Sequence, residues 1–106
     1  MTADEVLSTV LAAIDNQWDR WTAHSLDLHR SIVRPPRIET YLSQTGDAVI
    51  PLQLWLVVEE RPETHDGYEV FYDPEDDVYG LGHRDRNGQR YYIGDYGSLW
   101  KTLESM

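Results

Sequence analysis

The sequence predicts an α+β domain in which an N-terminal amphipathic helix and a short C-terminal helix bracket an antiparallel β-meander of about four to five strands. Three observations carry this. Val6, Leu7, Val10, Leu11, Ile14, Trp18 and Trp21 recur at three- and four-residue spacing, the period of a helix with one buried face. From Ile38 onward the apolar period shortens to two, with turn signals between the runs. Ser98 then precedes Leu99, Trp100 and Leu103, which share one face of a short helix. At 106 residues and 41% hydrophobic content, residues 1–106 suit one domain with one core.

The first helix is doubly signalled at its start. Thr2 and Glu5 stand at capping-box spacing, and Asp4 and Glu5 suit the positive end of the helix dipole. Leu26, Leu28 and Ile32 allow the helix to continue, but Pro35 and Pro36 forbid it beyond about Arg34. Ile38, Thr40 and Leu42 open the first strand, which turns at Thr45-Gly46-Asp47. In the second strand Leu52, Leu54, Leu56 and Val58 are expected on one face and Trp55 and Val57 on the other, so both faces are covered. Tyr68, Val70 and Tyr72 alternate with Glu69 and Phe71 in a third strand. Asp73-Pro74-Glu75-Asp76-Asp77 reads as a turn, followed by a strand from Val78 to His83. Asp85-Arg86-Asn87-Gly88 is a further hairpin signal, and Arg90 to Ile93 gives the last strand. The two helices are expected on one face of the sheet, with Trp18 or Trp21 and Trp100 as large core pieces.

Cysteine is absent, which excludes disulfides, thiolate metal sites and cysteine catalysis. The opening residues are acidic where a secretory signal is basic. The longest apolar stretch, Val49 to Val58, is broken by Pro51 and Gln53, so no membrane partner is expected and a cytoplasmic location is the simplest reading. The formal net charge of −10 is concentrated in one run: Glu59, Glu60, Glu63, Asp66, Glu69, Asp73, Glu75, Asp76 and Asp77, with Arg61 the sole cation among them. Such a field repels a phosphate backbone and argues against nucleic acid. It draws in a basic protein or a cation, unless these charges are simply a solvated rim that keeps the chain soluble.

Motifs for chemistry are incomplete in the sequence. The acidic turn offers carboxylates at alternating positions, but Val78 stands where a calcium loop needs glycine and Arg84 where its closing glutamate belongs. His24, His29, His65 and His83 show no i, i+4 spacing, although His83 near Asp85 and His65 beside Asp66 each pair a base with a carboxylate. Ser98 lacks the glycine-flanked elbow of a hydrolase nucleophile, and Gly80 and Gly82 lack the lysine of a phosphate loop. No cofactor motif appears.

The remaining signal is aromatic. Tyr68, Tyr72, Tyr79, Tyr91, Tyr92 and Tyr96 share the acidic half of the chain. Tyrosine combines apolar area with one polar handle, so Glu63, Asp66, Tyr68, Tyr72, Glu75, Asp76, Asp77 and Tyr79 are the candidate binding residues, and the sequence leaves open whether the acidic turns meet in one site. Against it stands the tendency of strand tyrosines to pack across a sheet. The leading expectation is a non-enzymatic module that binds a basic protein, such as an inhibitor or immunity-type protein. The alternatives are a small metal-dependent hydrolase using the acidic turn and His83, and a structural or regulatory subunit with a large apolar patch.

Overall fold

The computed structural model describes residues 1–22 and 24–106. Helix α1 spans Ala3–Ile14 and begins as its sequence requires. The Thr2 hydroxyl accepts the Glu5 amide at 3.2 Å, and the Glu5 carboxylate accepts the Thr2 amide at 2.9 Å. The helix stops earlier than the tryptophan spacing suggests. Asp15 and Asn16 take left-handed backbone with φ of 52° and 61°, a conformation their short polar side chains tolerate. Trp18 therefore reaches the core from a loop, stacked on His29 at 4.6 Å, while Trp21 is 76% exposed. Leu28 is buried from a separate short helix, α2 (Leu28–Ser31), capped by Asp27.

Five strands follow: β1 (Ile32–Thr45), β2 (Ala48–Glu59), β3 (Tyr68–Asp73), β4 (Val78–Arg84) and β5 (Arg90–Gly97). Consecutive strands pair antiparallel, as a meander should. The expected antiparallel sheet is nevertheless corrected in one respect: it closes into a small barrel of mixed sheet. Strand directions alternate along a meander, so the fifth strand points the same way as the first. Closure must then be parallel, and β1 meets β5 through Tyr41↔Arg90 and Leu42↔Tyr91. β1 also begins six residues before Ile38. It runs through Pro35 and Pro36 where its register with β2 is irregular, and the Arg34–Pro35 peptide is cis. The β1–β2 hairpin turns at Gly46 (φ 61°), and residues 44–51 at its tip are all exposed.

The alternation along each stave separates two cores. Tyr41, Leu54 and Phe71 fill the lumen, with Leu52 and Tyr92 against them. Val70, Tyr72, Tyr79 and Leu81 point outward and meet Val6, Val10 and Ile14 of α1 and Leu99 and Leu103 of α3 (Leu99–Glu104). The helices thus cover the outer face, and the Trp100 indole N–H of α3 donates to the Ala13 carbonyl at 3.1 Å. Val58 departs from its expected side. A register shift in β2 between Leu56 and Val58 turns Val58 outward while Leu56 stays opposite Phe71. As a result Glu59 faces inward, opposite Glu69, which lies on the lumen side by its alternation with Phe71.

Candidate functional site

The acidic run divides between the two mouths of the barrel. At the near mouth, where β2 ends and β3 begins, each carboxylate has a cationic or imidazole partner. Glu69, 2% exposed, accepts the Tyr41 hydroxyl at 2.8 Å and Arg90 Nε at 2.9 Å, and Arg90 also reaches Glu39 at 2.5 Å. Glu59 is held by His65 Nδ1 at 2.7 Å and by Arg37 at 3.4 Å. Arg30 meets Glu63, and Arg61 lies 3.6 Å from Asp66. Glu60 binds His24 Nδ1 with one oxygen and the Tyr68 backbone N–H, at 3.0 Å, with the other. Burial pushes the Glu60 carboxyl up, but these two bonds outweigh it and hold the group below its ordinary range, so it is ionised at neutral pH.

A cleft of about 710 Å³ opens beside His24 and Glu60. Register explains its floor. Glu60 N–H donates to the Tyr68 carbonyl, Tyr68 lies opposite His83, and His83 opposite Tyr91. Side chains opposite one another on adjacent strands share a face, so Tyr68, His83 and Tyr91 form one lateral row. Asp66, Arg61 and Ile93 complete the lining.

The far mouth is electrostatically different. The β3–β4 turn brings Asp73, Glu75 and Asp76 to a groove of about 480 Å³ shared with Asp95 of β5 and floored by Leu52, Leu54 and Tyr92. No Lys, Arg or His lines it, and none of the ion pairs among the described residues involves these carboxylates or Asp77. Two tyrosines register the field. Burial, reinforced by the hydrogen bond to Asp77 at 2.7 Å and the charges of Asp77 and Asp73, pushes the Tyr72 hydroxyl up to about 12. Burial and then the Asp95 charge raise Tyr92 as well.

The candidate binding residues therefore divide between the two mouths and the helix-covered face. Glu63, Asp66 and Tyr68 sit at the near mouth, while Glu75, Asp76 and Asp77 sit at the far one, at the opposite ends of β3. Tyr72 and Tyr79 are buried, their rings 4.8 Å apart beneath the helices. Asp95 completes the far groove and carried no sequence signal, because the carboxylates it joins there come from β3 and the β3–β4 turn. His83 pairs with Tyr68 at the end of β4 away from the acidic turn, roughly 17 Å along the strand at about 3.3 Å per residue. The turn and His83 therefore do not share a metal site, and no cluster of three ligand side chains occurs among the described residues.

Burial also raises the phenols of Tyr41 and Tyr79, in Tyr41 reinforced by the Glu69 charge. The unfolded chain releases such protons near pH 10, whereas the folded chain retains them. Above that pH the native state binds more protons than the unfolded one, so stability that is complete below about pH 10 falls as pH rises. Urea midpoints measured from about pH 8 to about pH 11 should decline, and Tyr72→Phe should flatten the decline.

No helix among the described residues is long and apolar enough to cross a membrane. Compared with models of known families, with curated proteins and with solved structures, the chain matches none.

Proposed function

We propose that the protein is a non-enzymatic binding module that docks a basic protein at the far mouth, in the manner of an inhibitor or immunity-type protein. One observation carries this reading: Asp73, Glu75, Asp76 and Asp95 converge on a groove without a single cation, whereas the near-mouth carboxylates have partners within the chain. Uncompensated like charges repel one another, and a basic partner relieves that repulsion as it binds. The groove floor of Leu52, Leu54 and Tyr92 supplies apolar area, and Val49 and Ile50, exposed on the adjoining hairpin, supply more.

The test compares two charge reversals in the intact protein. Glu75→Lys with Asp76→Lys should weaken capture of basic proteins at low salt by at least about tenfold, and raising the salt should weaken wild-type capture in the same direction. Glu63→Lys with Asp66→Lys, at the other mouth, should leave capture unchanged. Equal loss in both variants, or wild-type protein that retains no basic protein at low salt, overturns the reading.

A further inference from the structure

We propose that the near-mouth cleft is a second site, which binds a small uncharged heteroaromatic molecule of nucleoside size through its ring face and its N–H or O–H donors. This goes beyond the docking reading, which concerns the opposite mouth, and the two stand or fall separately.

The size and shape of the cleft fit such a ligand. A volume of about 710 Å³ lies within the roughly 300–1,000 Å³ of small-molecule sites. Its floor is a row of rings, Tyr68, His83 and Tyr91, on three adjacent strands. With strands about 4.8 Å apart, the row presents a platform about 10 Å wide, suited to a flat partner. Tyr91 is 42% exposed and Ile93 45%, so the platform is open to an entering ring. Bases stack on such rings in nucleic-acid-binding proteins, largely irrespective of sequence.

The polar groups select for charge. Glu60 spends both oxygens within the chain, and Asp66 is engaged by the Thr64 hydroxyl at 2.5 Å and by Arg61. The Glu60 carboxylate can only accept, so His24 Nδ1 carries the proton of that bond, and Nε2 has no side-chain partner among the described residues. None of the side-chain hydrogen bonds among the described residues ends on His83 or on the Tyr68 or Tyr91 hydroxyl, though all three line the cleft. The cleft thus offers imidazole nitrogens and phenol hydroxyls without side-chain partners among the described residues, walled by two carboxylates and Arg61. A phosphate meets repulsion from Glu60 and Asp66 that Arg61, already paired with Asp66, offsets only in part, and a neutral ring bearing a donor does not. Gly67 keeps the wall close: a Cβ there would lie 2.6 Å from Glu60 Oε1.

The probes are adenosine and uridine, titrated into the full chain while the histidine ring protons are followed by NMR. Signals of His24 and His83 should move with at least one nucleoside, and those of His29, outside the cleft, should not. Tyr91→Ala should weaken binding at least tenfold with an unchanged urea midpoint, and His83→Gln should weaken it as well. The 5′-monophosphate of the same nucleoside should bind at least tenfold more weakly. Any of three results overturns the proposal: no shift at millimolar nucleoside, nucleoside affinity unchanged in both variants, or shifts produced by methyl β-glucoside and by neither nucleoside.

Discussion

Replacing Arg90 by methionine should cost about 3–5 kcal/mol of stability, the loss expected when one partner of a buried charge network is removed. Arg90 is the cation that Glu69 has. The carboxylate is 2% exposed, accepts Tyr41 and Arg90 on one oxygen, and has no hydrogen-bond partner on the other among the described residues. The guanidinium side chain is 12% exposed and holds Glu39 as well, so its removal strands two carboxylates at once. Burial opposes the charge of Arg90, but Glu69 and Glu39 outweigh that and hold its proton more firmly than usual. Adding Glu69→Gln to Arg90→Met should restore part of the loss, a coupling that a double-mutant cycle in urea resolves. A cost below about 1 kcal/mol, the range of a surface ion pair, would show that water reaches this mouth freely.

Gly80→Ala is the second large effect, at about 3 kcal/mol or more, the upper range of overpacking in a core. An added Cβ would lie 2.3 Å from Phe71 Cζ and 2.4 Å from the Gly94 carbonyl oxygen. Phe71 is fully buried in the lumen, and the Gly94 oxygen belongs to the neighbouring stave, so neither moves without distorting the barrel. Gly46→Ala is the control. That hairpin glycine has φ of +61° and open space around it, so the substitution costs only left-handed strain, roughly 1–2 kcal/mol. Urea denaturation of both variants should place Gly80→Ala clearly below Gly46→Ala.

Much of the secondary structure was legible from local chemistry. The Thr2–Glu5 capping box, the Asp85-Arg86-Asn87-Gly88 turn and the Ser98 cap each act over a few residues, and each forms as its residues require. The stop of α1 was written in Asp15 and Asn16, but apolar spacing through Trp18 and Trp21 masked it. Closure was harder to read. It depends on pairing between staves far apart in the chain, although the count of five meander strands already dictated its parallel sense. The acidic run misled most when taken as one stretch: Glu69 faces the lumen by the alternation that also places Phe71 there, but Glu59 joins it only through a register shift in β2 that no spacing rule reveals. Which carboxylates stay unpaired depends on arginines and histidines supplied by other elements.

The seam between β1 and β5 also bears on how the chain folds. Every other stave pairs with its neighbour in sequence, across loops short enough to close quickly, whereas Tyr41 must find Arg90 across about fifty residues of chain. The seam holds only two residue pairs to offset that ordering, fewer than any other pairing of the barrel. Arg90 stands on this seam with Glu39 and Glu69 as its partners on β1 and β3, which makes the charge network the clasp that rewards closure.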